Sequence, residues 1–243
     1  MRVTRLYHPE NISCGGISQL SREASNHIVR VLRSEIGSKV ILFNGDGFDY
    51  LAQIVDSNPK KTSVLIEDKI TVDSESNLSI TLIQGLSRNE RMETTIQKSV
   101  ELGVNKIIPV LCQRSNAKMP AQKKEKKQAY WQSVITSACE QSGRSRIPDL
   151  IEIKKIDNLS AELRSDALKI TLSPASETAL KQLDFQPQTI EVFIGPEGGL
   201  NDEEVNTLQK MGFNSIRFGP RILRTETAGP AVISALQILW GDC

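Results

Sequence analysis

The first 72 residues combine short apolar runs with turn residues, which is the pattern of a small β domain. We predict strands at residues 3–7, 39–43, 48–55 and 62–67. The sequence NGDG between the second and third of these runs predicts a hairpin. Several short strands with such turns predict a small barrel, and a polar segment after residue 72 marks its end.

One helix interrupts the β pattern, at residues 21–33. Ser21 is suited to cap its amino end. The spacing of Ile28, Val31 and Leu32 predicts that these side chains share one apolar, buried side of the helix.

From residue 78 onward, apolar strand-like runs alternate with helical stretches. The predicted strands lie at residues 78–86, 106–111, 168–172, 189–194 and 215–218. Short continuous apolar runs are typical of parallel strands that are buried on both faces. Their alternation with helices predicts an α/β domain with a parallel sheet at residues 73–243.

The helices of this second region begin with recognisable signals. Ser-x-x-Glu at residues 87–90 and Asn-x-x-Glu at residues 201–204 have the form of capping boxes. After the first box, Met92, Ile96 and Val100 recur at helical spacing, which predicts one buried face.

Two further helices differ in character. The helix predicted at residues 121–141 starts with a run of lysines, whereas residues 225–240 are apolar on nearly every side. A helix of the second kind is buried either in the centre of a domain or at a subunit interface. For a chain of 243 residues we favour the interface.

Composition and charge are those of an ordinary globular protein. The chain is 39% hydrophobic and 24% charged, with a formal net charge of +1, so any contact with nucleic acid must come from a local patch. No apolar run approaches the roughly 20 residues that span a bilayer. The amino terminus lacks the apolar centre of a signal peptide. Four widely spaced cysteines without a C-x-x-C pair favour free thiols, and we expect a cytoplasmic protein.

Common cofactor and catalytic motifs are missing from the sequence. It contains neither the P-loop pattern nor G-x-G-x-x-G, G-x-S-x-G or H-E-x-x-H. The most unusual features are two similar turns, IGPEGG at residues 194–199 and FGPR at residues 218–221. Proline fixes the backbone and glycine permits close approach, so two such turns predict a ligand held mainly by backbone groups.

These turns belong to longer motifs that resemble a known family. IGPEGGL at residues 194–200 with GPRILRTETA at residues 219–228 is similar to the bacterial 16S ribosomal RNA uridine N3-methyltransferases of the SPOUT class. Three more segments match that family: HIVRVLR at residues 27–33, QKSVELGV at residues 97–104, and ACEQSGR at residues 138–144 with Pro148 after it. The resemblance covers nearly the whole chain. Phe218 departs from it, because an aliphatic residue is more usual there.

The resemblance implies a two-domain fold and a cofactor. It implies a PUA-like RNA-binding β-barrel at residues 1–72 and an α/β SPOUT methyltransferase domain with a trefoil knot at residues 73–243. It also implies S-adenosylmethionine as cofactor, no metal, and a homodimer formed through the helix at residues 225–240. The implied cofactor-binding residues are Leu172, Ile194, Gly195, Glu197, Gly198, Gly199, Phe218, Gly219, Ile222, Leu223, Arg224 and Thr225.

The implied reaction is methyl transfer to N3 of a uracil ring, which must lose its N3 proton. A positioned base or a cation that stabilises the ring anion assists such a step. The candidates are Arg224 and Glu226 in the second motif and Arg144 in a matched segment. The alternative role for each is a salt bridge that shapes the fold, and the base itself is not identified.

The implied partner is 16S rRNA or the small ribosomal subunit, and no membrane. Candidate RNA contacts are Arg2, Arg5, Arg30, Arg33, Arg88, Lys98 and Arg114. The lysine run at residues 123–127 also suggests an anionic partner, with a solvated helix face as the alternative. Two other functions stay open: methylation of another rRNA or tRNA position, and RNA or ribosome binding without catalysis.

Overall fold

The computed structural model describes residues 3–115, 119–183 and 186–243, which fold into two compact units. The first unit consists of Met1–Glu75 with Cys139–Ile147, and the second of Ser76–Ala138 with Pro148–Cys243. The boundary predicted after residue 72 falls just before Glu75. We predicted that residues 73–243 form one continuous domain. In the structure, the segment Cys139–Ile147 within that range belongs to the first unit.

Polar contacts hold the segment Cys139–Ile147 within the first unit. The Arg144 guanidinium pairs with Glu75, with an Nε–Oε1 distance of 3.0 Å. Glu140 Oε1 accepts a hydrogen bond from the backbone N–H of Tyr7 at 2.9 Å. Such contacts join residues far apart in the chain, so a change in local composition does not reveal them.

The first unit is built on one five-stranded sheet. Its strands are β1 (Thr4–Tyr7), β2 (Ile17–Gln19), β3 (Lys39–Phe43), β4 (Phe48–Asp56) and β5 (Ser63–Thr71). They lie in the order β1-β3-β4-β5-β2, with β1 parallel to β3 and the other pairs antiparallel. The predicted hairpin is confirmed as β3 and β4. Strand β2 was not predicted, because three residues are too few to show an alternating pattern.

The predicted helix at residues 21–33 is shorter and changes type. Helix α1 covers Arg22–Asn26, with Ser21 as its cap as predicted, and a π-helical turn follows at His27–Val31. Ile28 is buried, but Val31 and Leu32 are 62% and 43% exposed, so the prediction of a buried side is wrong for these two. The prediction assumed a regular α-helical repeat, which the π turn interrupts.

The second unit has a parallel sheet, as predicted. Its strands are β6 (Ser79–Gly85), β7 (Lys106–Leu111), β8 (Asp149–Leu150), β9 (Lys154–Lys155), β10 (Leu168–Leu172), β11 (Thr189–Ile194) and β12 (Asn214–Ile216). The order is β12-β10-β11-β6-β7-β8, with β9 also paired to β7, and every pair is parallel. Strand β12 ends at Ile216, which leaves Phe218 in the loop that follows.

Four helices flank this sheet in the described part of the unit. They are α2 (Asn89–Glu101), α3 (Ala121–Ser142, whose last four residues belong to the first unit), α4 (Asp202–Lys210) and α5 (Thr225–Trp240). The capping box of α4 is confirmed: Asn201 Oδ1 accepts from Glu204 N at 2.8 Å, and Glu204 Oε2 accepts from Asn201 N at 3.0 Å.

The predicted start of α2 is wrong. Its cap residue is Arg88, which makes no side-chain capping bond. Ser87 Oγ is buried and has no hydrogen-bond partner among the described residues. The predicted buried face is nevertheless confirmed, since Met92, Ile96 and Val100 are fully buried.

The cysteines are free thiols, as predicted. Burial raises the pKa of Cys112 to about 12 and that of Cys139 to about 11, so neither is a reactive thiolate near neutral pH. Among the described residues, no helix is both long enough and apolar enough to cross a bilayer.

Candidate functional site

The carboxyl ends of strands β10, β11 and β12 meet at one edge of the parallel sheet and open onto a cavity of about 620 Å³. Ligands of open α/β sheets bind at this edge. Its lining comes from the ends of β10, β11 and β12, the loops that follow them, the first turn of α5, and one residue each of α2 and α4: Arg91, Thr171, Leu172, Ser173, Pro174, Ile194, Gly195, Pro196, Glu197, Gly199, Leu200, Val205, Ser215, Phe218, Gly219, Arg221, Ile222, Leu223, Arg224, Thr225 and Ala228.

The first Gly-Pro turn forms one wall of the cavity and lies against strand β6. A Cβ atom added to Gly85, the last residue of β6, would lie 2.6 Å from Pro196 N and 3.0 Å from Gly195 C. No Cβ fits at such distances, so glycine is required at residue 85 for this close approach. The turn is closed by Gly199 N–H donating to Pro196 O at 2.9 Å, and Gly199 has a φ of +68°.

A short relay of hydrogen bonds joins this turn to α5. Gln84 Nε2 donates to Thr225 Oγ1 at 3.0 Å, and Thr225 Oγ1 donates to Gly195 O at 2.8 Å. Gln84 is fully buried and Thr225 nearly so. The relay therefore fixes the Gly195 carbonyl through a buried and a partly buried hydrogen bond.

Thr225 lies at the start of α5 but does not cap it. The cap residue is Arg224, without a side-chain capping bond. Thr225 is the first helical residue, and its hydroxyl is used by Gly195 instead.

Arginines dominate the charge of the cavity wall. Arg91, Arg221 and Arg224 line it together with one carboxylate, Glu197. Arg91 Nη1 lies 2.8 Å from Glu197 Oε1, and Arg91 Nε lies 3.7 Å from Glu226 Oε1. A single guanidinium thus links α2 to the first Gly-Pro turn and to the first turn of α5, while the Arg224 side chain is 77% exposed.

All the predicted cofactor-binding residues except Gly198 line the cavity. A Cβ atom at Gly198 would lie 3.0 Å from Arg114 Cβ, so this position faces Arg114. Arg114 Nη1 donates to Gly198 O at 3.0 Å and to Leu200 O at 3.3 Å. Arg114, predicted as an RNA contact, therefore supports the end of the turn.

The predicted catalytic residues divide into two groups. Arg224 lines the cavity, and Glu226 Oε1 lies 4.0 Å from Arg224 Nη1. Glu226 Oε2 is buried without a hydrogen-bond partner in the described part of the chain. Arg144 is not among the lining residues. It is buried in the first unit and paired with Glu75, an arrangement that matches the salt bridge given as its alternative role.

The other predicted RNA contacts also differ in their surroundings. Arg5 is buried and pairs with Asp49, and Lys98 pairs with Glu101 at 2.9 Å. Arg30, Arg33 and Arg88 are exposed. Arg2 lies outside the described residues.

Three residues that support the cavity were not predicted as part of it. Gly85 did carry a signal, because an isolated glycine at the end of an apolar strand marks a close approach of another backbone. Gln84 was a polar residue in an otherwise apolar run. Arg91 showed no local signal, since its two carboxylate partners lie more than a hundred residues later in the chain.

Comparison with known proteins identifies the class of this fold and cavity. Residues 74–237 match the RNA methyltransferase domain, and residues 20–67 match the RNA methyltransferase PUA domain. The chain is thus an RNA methyltransferase-type α/β unit combined with a PUA-type unit, as predicted.

The relatives define the family more closely. The chain is 34% identical to ribosomal RNA small subunit methyltransferase E of Buchnera aphidicola from Schizaphis graminum, over 99% of this chain and 98% of the other. It is 36% identical to the protein of that name from Neisseria gonorrhoeae in a crystal structure bound to S-adenosyl methionine, with a TM-score of 0.91 and 99% of each chain covered. A methyltransferase of Legionella pneumophila in complex with the same cofactor has a TM-score of 0.95 at 40% identity, with both chains fully covered. The chain belongs to the ribosomal RNA small subunit methyltransferase E family.

Proposed function

We propose that this protein transfers a methyl group from S-adenosylmethionine to N3 of one uridine in 16S rRNA. The observation that carries the proposal is the cavity between the two Gly-Pro turns, which lies at the ligand-binding edge of a parallel sheet. The S-adenosylmethionine-bound relatives that match this chain over nearly its full length support the cofactor. The N3 position rests on the motifs at residues 194–200 and 219–228, and the implied knot stays a prediction.

The residues of the cavity fit this cofactor. Its volume of about 620 Å³ lies within the range of small-molecule sites. Ile194, Leu172 and Leu223 offer apolar contact to an adenine ring, and the backbone at Gly195 and Gly219 lies open to its polar edges. The arginines suit a carboxylate, and the carboxylate of Glu197 suits a cationic centre.

When bound, S-adenosylmethionine supplies an activated methyl group. The protein therefore has to position the uracil ring and provide a group that accepts its N3 proton. Uracil N3 is protonated at neutral pH. We assign stabilisation of the ring anion to Arg224, whose exposed guanidinium lies on the cavity wall. Glu226, whose Oε2 has no hydrogen-bond partner among the described residues, is our candidate for the carboxylate that accepts the N3 proton.

The RNA substrate has candidate contacts on each unit. Arg30 and Arg33 are exposed on the first unit, next to the exposed side chains of Val31 and Leu32. Arg88 is exposed beside the cavity turn, where its backbone N–H donates to Glu197 Oε1 at 3.3 Å. We place the protein in the cytoplasm, with the ribosomal RNA that it modifies.

We also propose a homodimer formed through α5. Ile238 and Leu239, near the end of this helix, are 65% and 43% exposed. Ile238→Arg should therefore convert a dimer to a monomer, because a buried unpaired charge at an interface is strongly unfavourable. Sedimentation equilibrium measures the change, with Ile17→Arg, at an exposed isoleucine of the first unit, as the matched control. A monomeric wild-type protein contradicts the dimer.

The reaction is tested by comparing 16S rRNA from cells with and without the gene. Nuclease digestion and mass spectrometry should show the loss of one N3-methyluridine when the protein is absent. Loss of a different methylated nucleoside would show that the protein is a methyltransferase, but it would overturn the assignment to N3. Identical rRNA in both strains contradicts the proposed function.

A further inference from the structure

Helix α3 carries an unusual concentration of positive charge on one side of its first turns. Lys123, Lys124, Lys126 and Lys127 occupy four of five consecutive positions, and we call these four residues the α3 lysine face. At 100° per residue they fall within an arc of roughly 160°, and Glu125 lies on the opposite side. The one carboxylate in the run therefore does not neutralise them.

The α3 lysine face lacks carboxylate partners in the described part of the chain. None of its four ammonium groups has a carboxylate oxygen within ion-pair distance among residues 3–115, 119–183 and 186–243. Lys127 Nζ instead contacts Asn89 Oδ1 and lies 5.4 Å from the ring centroid of Trp131. Partial burial, and to a lesser extent the charge of Lys123 one turn earlier, lower the pKa of Lys127.

Positive charge at this place costs stability to the isolated protein. The first turn of α3 contains no acidic residue, and cations near a helix amino end oppose the helix dipole. The described residues relieve neither the repulsion between the lysines nor this dipole effect. An anionic partner relieves both.

The contacts of Lys127 place this face beside the cavity. Its partner Asn89 is the first residue of α2. The preceding residue, Arg88, donates its backbone N–H to Glu197, and Arg91 pairs with the same carboxylate. Arg91 and Glu197 both line the cavity. All of these residues belong to the second unit.

We propose that the α3 lysine face binds the phosphate backbone of the rRNA segment that leads to the cavity. This proposal rests on the proposed function, and it assigns part of substrate recognition to the methyltransferase unit itself. Four cations in a row along a helix suit a series of phosphates, because contacts of this kind fix position and carry no base specificity. The adjoining cavity then receives the target base.

The test neutralises two exposed lysines, Lys123 and Lys126, and the partly buried Lys124, and it leaves Lys127, which lies over Trp131, in place. The variant K123Q/K124Q/K126Q is compared with K155Q/K181Q/K210Q, which removes the same charge from exposed or partly exposed lysines elsewhere in the second unit. Binding to naked 16S rRNA is measured by fluorescence anisotropy over a range of salt concentrations, together with S-adenosylmethionine affinity by calorimetry and methylation of small subunits.

We expect the first variant to bind naked rRNA about three- to tenfold more weakly at low salt. The slope of log K against log salt should become shallower by about 2, as for the loss of three contacts to single-stranded phosphates. Cofactor affinity should not change. If the two variants have equal rRNA affinity and equal salt slope, the proposal for the α3 lysine face is overturned. If both variants still bind the cofactor and methylate small subunits, the proposed function is unaffected by that result. Weakened binding to assembled subunits alone, with naked rRNA unaffected, would assign the face to a ribosomal protein and also overturn it.

Discussion

Gly85→Ala is expected to weaken S-adenosylmethionine binding about 30-fold. The added Cβ would lie 2.6 Å from Pro196 N and 2.7 Å from Pro196 Cδ. These are backbone and ring atoms, which cannot relieve the clash by a change of rotamer. Strand β6 and the first Gly-Pro turn must therefore separate. Overpacking of this kind costs about 2 kcal/mol, which corresponds to roughly 30-fold when the displaced element is the binding wall.

Calorimetry with S-adenosylmethionine measures the loss, and Gly229→Ala provides the matched control. A Cβ at Gly229 would meet its nearest neighbour, Thr95 Cγ2, at an ordinary 3.4 Å. Alanine also favours the helical backbone of α5, so this variant should retain cofactor affinity and gain stability of up to about 1 kcal/mol. Wild-type affinity in a folded Gly85→Ala protein would show that the turn does not form the cofactor wall.

Thr225→Val is expected to reduce cofactor affinity about tenfold, with a loss of stability of about 1–3 kcal/mol. Valine keeps the shape of threonine but removes the hydroxyl between Gln84 Nε2 and Gly195 O. Gln84 Nε2 then keeps only its bond to Gly85 O at 3.0 Å, and the Gly195 carbonyl is no longer fixed by a hydroxyl. The unfolding transition and the cofactor affinity are measured on the same preparation.

Thr207→Val is the control for this substitution. Its hydroxyl also donates to a carbonyl, that of Glu203 at 2.8 Å, but on the exposed face of α4. Since the Glu203 carbonyl stays accessible to water, this change should cost no more than about 0.5 kcal/mol and leave cofactor affinity unchanged. Similar small effects in both variants would contradict a specific role for the buried relay.

Much of the fold follows from local patterns in the sequence. The hairpin of β3 and β4, the buried face of α2 and the capping box of α4 were predicted because each depends on residues close together in the chain. Val31 and Leu32 were placed wrongly because a regular helical repeat does not anticipate a π turn. The assignment of Cys139–Ile147 to the first unit depends on ion pairs and hydrogen bonds across long sequence separations, which periodicity does not encode.

The cavity was predictable to a similar degree. Its two turns are marked by glycine and proline, whose backbone properties are visible in the sequence. The residues that hold these turns in place were not predictable, because Gln84, Gly85 and Arg91 act through contacts with residues far along the chain. Arg5 was predicted to bind RNA, and Arg144, in a segment matched to the family, was predicted to be catalytic; each forms an ion pair in the first unit that local sequence does not reveal.

The most direct test of the account is methylation in vitro with defined components. The purified protein is incubated with methyl-labelled S-adenosylmethionine and small ribosomal subunits from cells that lack the gene, and the digested rRNA is resolved into nucleosides. We predict one methyl group per 16S rRNA molecule, carried by N3-methyluridine. Incorporation into a ribose or another base, or no incorporation by a protein that binds the cofactor, would contradict it.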